Sequence, residues 1–128
     1  MELSLNPLFI EVRNNAEKLK VIAEAALSTW RAGQTLLILA PNAETLTYLD
    51  AFLWKEPAGR FLPHAIDQGA PILLSLTLQK ADVLLNLTPE PISSPDYRLI
   101  ELWDDSHPDK RLQSQKKKQF YALTEPKS

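Results

Sequence analysis

The segment from Thr35 to His64 decides the fold, and it opens with the uninterrupted apolar run TLLILA at Thr35–Ala40. An unbroken apolar run, in place of an alternating one, is typical of a strand that is covered on both faces of a parallel sheet. Asn42 follows as the predicted N-cap of a helix. Apolar residues then recur in this helix at helical spacing, at Leu46, Leu49 and Leu53. This first strand–helix unit predicts an α/β domain.

Further strands and helices alternate along the chain. Strands are predicted at Leu8–Val12, Pro71–Leu76, Asp82–Leu87 and Leu99–Trp103. We predict a single Rossmann-like α/β domain over residues 1–123, with helices on both faces of the sheet, and a frayed tail over residues 124–128. Little room remains for helices between the later strands, so we expect a mixed, mostly parallel sheet with an antiparallel portion.

Composition limits the class of protein. The 128 residues are 45% hydrophobic and 23% charged, with no cysteine, which excludes disulfides and thiolate metal sites. No apolar run approaches the length of a membrane span, and the N-terminus lacks a signal pattern. The cytoplasm is therefore the expected compartment. A formal net charge of −2 argues against a general nucleic-acid coat.

The residues that could do chemistry are few and scattered. None of the three glycines forms a phosphate-cradling loop, and Pro41, after the first apolar run, has no N–H to offer a phosphate. The two histidines, His64 and His107, have no partner at metal-ligand spacing. We therefore predict no catalytic, cofactor-binding or metal-binding residues and no cofactor. A nucleotide-dependent α/β enzyme and direct DNA binding by Lys116–Lys118 remain as alternatives.

Basic residues are concentrated in the predicted final helix. The stretch Pro108–Tyr121 carries five basic residues against Asp109 alone. A basic element on an otherwise acidic body is a candidate site for an acidic partner. Helical geometry predicts an outward face with Lys110, Ser114, Lys117, Lys118 and Tyr121. It predicts a sheet-facing side with Leu112, Phe120 and Leu123.

Two motifs together carry a family resemblance. Leu53-Trp54 followed by Phe61-Leu62-Pro63-His64, and the later strand Asp82–Leu87 (DVLLNL), resemble the chi subunit family of bacterial DNA polymerase III. The likeness runs from about Leu19 to Tyr121. It implies a Rossmann-like fold without nucleotide-binding activity. It also implies an adaptor at the replication fork, which binds the psi subunit leading to the clamp loader, and the acidic C-terminal tail of single-stranded-DNA-binding protein.

The resemblance also implies the residues of each surface. The psi-binding surface would contain Trp54, Pro57, Phe61 and Pro63. The tail-binding surface would contain Lys110, Ser114, Lys117, Lys118 and Tyr121, with Trp103 beside them. Ser114 stands where the family usually has an arginine, and Lys117 where it has an aromatic residue. Residue chemistry alone leaves two interpretations of Trp54 and Phe61, a docking surface or a plug in the core.

Overall fold

The computed structural model describes residues 7–55, 63–67, 69–93 and 97–124. These residues form six strands: β1 (Leu8–Val12), β2 (Leu36–Leu39), β3 (His64–Ile66), β4 (Ile72–Ser75), β5 (Val83–Asn86) and β6 (Arg98–Asp104). They also form three helices: α1 (Asn15–Arg31), α2 (Ala43–Lys55) and α3 (Pro108–Thr124). None of the described helices is long and apolar enough to cross a membrane. The frayed tail was predicted over residues 124–128; Thr124 is the last residue of α3, and residues 125–128 lie outside the described residues.

The described strands form one sheet in the order β1-β6-β5-β2-β4-β3, and all its pairings are parallel. The expected antiparallel portion is therefore wrong. Strands β3 to β5 are only three or four residues long, so each spans about 10–13 Å. A loop can cover that distance without a helix. Between β3 and β4 the left-handed backbone of Asp67 (φ 70°) and Gly69 (φ 90°) helps the chain turn back.

Helices cover both faces of the sheet, as predicted. Alternate residues of β2 face opposite layers, since Leu36 and Ile38 join the core under α1 and α2, whereas Leu37 and Leu39 join the core under α3. All four side chains of β2 and all four of β5 are buried. The apolar runs that begin at Thr35 and Asp82 are thus interior strands.

Side-chain caps fix the starts of the first two helices. Asn14 Oδ1 accepts a 2.8 Å hydrogen bond from the backbone N–H of Glu17, and Asn42 Oδ1 accepts one of 2.8 Å from Thr45. Each helix begins shortly after a strand ends. Since the strands are parallel, the N-terminal ends of all three helices lie beyond the carboxyl ends of the strands, at the same end of the sheet.

The strand order creates a topological switch point between β2 and β5. From β2 the chain continues through α2 to β3 at one side of the sheet, whereas from β5 it continues to β6 at the other side. Such a divergence opens a crevice beyond the carboxyl ends of the two strands, where open α/β sheets bind ligands.

A core substitution tests this architecture. We expect Leu85→Ala to lower the free energy of unfolding by about 2–5 kcal/mol, because Leu85 is fully buried in an interior strand. The matched control is Leu78→Ala, in the loop after β4, where the side chain is 49% exposed and the loss should stay below about 1 kcal/mol. Urea unfolding measures both. Equal losses in the two variants would contradict the described sheet.

Candidate functional site

Trp54 lies at the end of α2 with 56% of its surface exposed, so it is not a core plug. One side of its ring rests on His64, at a distance of 4.4 Å between ring centroids. The His64 ring is buried, and its Nε2 lies 3.3 Å from the backbone oxygen of Asp50. The indole is thus supported by His64, while more than half of the Trp54 surface is exposed. Pro63 is half-buried just before β3.

Two of the predicted psi-binding residues, Pro57 and Phe61, lie outside the described residues. The described part of this surface therefore consists of Trp54, its support His64, and Pro63.

The predicted orientation of α3 is wrong. Ser114, Lys117 and Tyr121, expected to face outward, are 3%, 6% and 2% exposed. Leu112 and Leu123, expected on the sheet, are exposed. Of the predicted packing residues, Phe120 alone contacts the core, and it is half-buried.

A buried carboxylate on the sheet explains this orientation. Glu101 of β6 is fully buried, and Lys117 Nζ lies 2.9 Å from its Oε1. The other oxygen, Oε2, accepts hydrogen bonds from the Tyr121 hydroxyl and, at 2.8 Å, from Asn86 Nδ2. We call Glu101, Lys117, Tyr121 and Asn86 the Glu101 cluster. Burial, with the hydrogen bond to Glu101, raises the pKa of the Tyr121 phenol far above its usual value.

The Glu101 cluster joins three elements through polar groups. It links β6 to its neighbour β5 through Asn86 and to α3 through Lys117 and Tyr121. The Tyr121 hydroxyl also accepts a 2.9 Å hydrogen bond from the backbone N–H of Ile92 in the loop after β5. Sequence analysis missed Glu101 and Asn86. The available signal was one carboxylate in the middle of the apolar strand segment Leu99–Trp103.

Ser114 attaches the first half of α3 to the end of β6. Its hydroxyl accepts a 2.9 Å hydrogen bond from the backbone N–H of Asp104 and lies 3.0 Å from the carbonyl oxygen of Lys110. The Asp104 carboxylate also binds Lys18 of α1 at 2.7 Å. Burial raises the pKa of Asp104, but hydrogen bonds from Lys18 and Ser106 outweigh burial, so the pKa is lowered overall.

Lys118 and Trp103 form a surface on the outward side of α3. The Lys118 ammonium lies 5.5 Å from the centroid of the Trp103 ring, within the range of a cation–π contact. Phe9 of β1 packs edge-on against the same indole, at 6.5 Å between centroids. A shallow depression here is lined by Trp103, Gln115, Lys118, Gln119 and Ala122. We call it the Trp103–Lys118 surface.

A deeper cleft of about 320 Å³ lies on the other side of α3, at the switch point between β2 and β5. Its lining includes the lysines Lys18, Lys110 and Lys117, and the carboxylates Glu44 and Asp104. We call it the switch-point cleft. The predicted tail-binding residues are therefore divided, since Lys110, Ser114 and Lys117 line the cleft, whereas Lys118 and Trp103 line the opposite side of the helix.

Among the described residues, no group of three histidine or acidic side chains could hold a metal ion. The histidines His64 and His107 each lie near one aspartate, Asp50 and Asp109 respectively.

Removing the cation of the Glu101 cluster tests its role. We expect Lys117→Ala to lower the free energy of unfolding by about 3–5 kcal/mol, because it leaves the Glu101 carboxylate buried without a counter-ion. Lys116→Ala is the control, since Lys116 is exposed on the same helix and its loss should cost less than about 0.5 kcal/mol. Chemical unfolding of both variants measures the two losses in free energy of unfolding. Similar small losses would mean that the ion pair does not hold α3 in place.

Comparison with known proteins gives one family match and two curated relatives. The family model described as "DNA polymerase III chi subunit, HolC" matches residues 6–125, nearly the whole chain. Among curated proteins, DNA polymerase III subunit chi of Haemophilus influenzae is 26% identical over 113 residues, which cover 81% of this chain and 78% of that protein. The subunit chi of Escherichia coli (strain K12) is 29% identical over 77 residues, which cover 53% of this chain and 52% of that protein. The chain belongs to the DNA polymerase III chi subunit family.

Proposed function

We propose that this chain is a non-catalytic adaptor of the replication machinery in the cytoplasm. It binds the psi subunit of DNA polymerase III, which leads to the clamp loader, and the acidic C-terminal tail of single-stranded-DNA-binding protein. The observation that carries the proposal is the separation of the exposed Trp54 from the half-buried Trp103. Trp54 lies beside β3 at one edge of the sheet, whereas Trp103 lies on β6, next to the other edge and under α3. Two partners can therefore bind at once.

The Trp54 side suits a protein partner. A large aromatic ring that is more than half exposed and rests on His64 is already positioned, so little conformational entropy is lost when a partner covers it. Pro57, Phe61 and Pro63 complete the proposed psi-binding surface, as the family resemblance implies.

Truncation of Trp54 tests psi binding. We expect Trp54→Ala to weaken binding of the psi subunit from the same genome by roughly thirtyfold, the loss typical of a hot-spot residue worth about 2 kcal/mol. Stability should change by less than about 1 kcal/mol, because the ring is more than half exposed. Calorimetry of the purified pair gives the affinity, and thermal unfolding gives the stability.

Tyr48→Ala is the control, since Tyr48 is a similarly exposed aromatic residue on the same helix. Unchanged psi affinity in Trp54→Ala would place the psi surface elsewhere.

The Trp103–Lys118 surface suits the acidic tail. An exposed ammonium beside an indole face offers both a charge for carboxylates and an apolar platform for an aromatic residue. Exposed Lys116 and Arg111, on the same helix, add positive charge, although Arg111 is paired with Asp105 at 2.6 Å. Three buried residues hold α3 in place and do not contact the tail in this proposal: Ser114, Lys117 and Tyr121.

Charge reversal tests the tail site. We expect Lys118→Glu to weaken micromolar binding of a tail peptide by about tenfold and to reduce its salt dependence, because an attractive charge becomes repulsive. Lys20→Glu on α1 makes the same change in net charge away from this surface and should leave binding nearly unchanged. Fluorescence anisotropy of a labelled peptide at several salt concentrations measures both effects. If Lys110→Glu weakened binding of the tail peptide and Lys118→Glu did not, the tail-binding site would lie in the switch-point cleft instead.

The alternatives gain no support from the described geometry. The Lys116–Lys118 run does not form one basic face, because Lys117 is buried in an ion pair between its two exposed neighbours. That arrangement disfavours a DNA grip built on these three lysines. The turn after β2 keeps Pro41, which has no N–H for a phosphate, so nothing there favours a nucleotide-dependent enzyme.

A further inference from the structure

The imidazole of His64 is the part of the Trp54 side that a partner does not reach. Its side chain is 0% exposed, whereas Trp54, which rests on it, is 56% exposed. A protein that covers the indole from outside therefore contacts Trp54 and not His64. Any influence of His64 on partner binding must pass through the tryptophan ring.

The sheet and α2 together fix the imidazole. His64 is the first residue of β3 and pairs with Ile72 of β4, so its main chain is held by the sheet. On the ring, Nε2 lies 3.3 Å from the backbone oxygen of Asp50 and 3.5 Å from one of its carboxylate oxygens. Both neighbours are acceptors, so Nε2 carries a proton and donates a hydrogen bond toward Asp50. The ring is thus held by two elements at once.

The same Asp50 carbonyl belongs to the helical turn that carries Trp54. In an α-helix the carbonyl oxygen of one residue accepts the N–H of the residue four positions later, which for Asp50 is the N–H of Trp54. The backbone of Trp54 and the imidazole under its indole therefore meet at one oxygen atom. The two rings lie 4.4 Å apart between centroids, at an interplanar angle of 53°. His64 thus fixes the indole relative to the backbone of α2.

Trp54 needs this support because of its place in α2. It is the last residue but one of the helix, which ends at Lys55, and the terminal turns of helices fray. An exposed side chain on a fraying turn samples several rotamers, and a partner that binds one of them must offset the entropy of the others. A buried ring that holds the indole in one orientation reduces that cost before the partner arrives.

Packing alone does not require a histidine under the indole. An aliphatic side chain would offer neither a planar ring for contact with the indole nor an N–H for Asp50. The Asp50 carbonyl keeps its helical hydrogen bond without His64. The N–H therefore serves to orient the imidazole, and the imidazole ring serves to orient Trp54.

We propose that His64 is a positioning residue for partner binding at the Trp54 side: its imidazole, anchored to Asp50, holds the exposed indole in the orientation that the partner recognises. This role rests on the proposed psi-binding function and deepens it, because it belongs to a residue that does not contact the partner. It also gives the histidine that closes the motif at residues 61–64 a task separate from aromatic contacts.

Fluorescence of Trp54 in the free chain tests the positioning directly. The chain has three tryptophans, so Trp30→Phe with Trp103→Phe leaves Trp54 as the sole indole. We expect His64→Ala in this background to roughly double the amplitude of nanosecond depolarisation in time-resolved anisotropy, because the indole loses the ring that holds it. Leu85→Ala, a core substitution in β5, is the control and should leave this amplitude unchanged. An unchanged amplitude in a folded His64→Ala chain overturns the proposal.

Two further variants separate the ring from its hydrogen bond. His64→Phe keeps a planar ring and loses the N–H, whereas His64→Gln keeps an N–H donor and loses the ring. We expect calorimetry to show psi affinity within about twofold of the unsubstituted chain for His64→Phe, and about tenfold weaker for His64→Gln and His64→Ala. The opposite order would assign the effect to the hydrogen bond and overturn the role of the ring.

A double-mutant cycle shows whether His64 acts through Trp54. We expect His64→Ala to weaken psi binding about tenfold when Trp54 is present, but less than about twofold in the Trp54→Ala background, since the ring that it positions is gone. Equal losses in both backgrounds would overturn the proposal, because His64 would then act elsewhere. Leu85→Ala should leave psi affinity unchanged, which separates positioning from a general loss of stability. Thermal unfolding scans verify that every variant is folded.

Failure of this proposal is distinguishable from failure of the proposed psi-binding function. If Trp54→Ala weakens psi binding and His64→Ala does not, psi binds at Trp54 and the positioning role of His64 is wrong. If Trp54→Ala leaves psi affinity unchanged, the proposed psi surface is wrong, whereas the anisotropy of the free chain still supports or overturns the positioning of Trp54 by His64.

Discussion

The position of α3 depends on one buried carboxylate. Glu101 lies on β6 without access to water, and an isolated charge there would be costly. Its two oxygens are satisfied by Lys117, Tyr121 and Asn86, so the final helix can dock in one rotation only. That rotation places Lys110 on the switch-point cleft and Lys118 on Trp103. A polar interaction inside the protein thus determines which cations each outer surface offers.

The dependence of α3 on Glu101 explains which part of the structure the sequence could not predict. The apolar runs of β2 and β5 and the capping residue Asn42 are local signals, and they predicted two strands and the start of α2 correctly. The direction of the later strands was predicted wrongly, because the connections from β4 to β5 and from β5 to β6 are too short for helices and therefore suggested antiparallel neighbours. The rotation of α3 could not be found from its own residues. Both sides of that helix mix apolar and charged side chains, and the choice between them is made by Glu101 on another element.

Residue chemistry predicted different features of the Trp54 side and of the Trp103–Lys118 surface. Exposure of Trp54 depends on the fold of the chain around His64, and a sequence cannot distinguish that from burial in the core. The charge excess on α3 was visible in the sequence, but its division between two surfaces was not. Membership of the chi subunit family indicates an association with DNA polymerase III. The structure of this chain shows which side chains are exposed to partners.

The width of the sheet has a mechanical consequence for the proposed adaptor function. Strands β6 and β3 are four spacings apart in the strand order, or about 19 Å at the usual distance between paired strands. An all-parallel sheet packed on both faces is stiff, so ligands held beside these two strands are kept at a nearly constant distance. With both proposed partners bound, each would raise the effective concentration of the components attached to the other, and the combined contacts of the assembly would last longer than either contact alone.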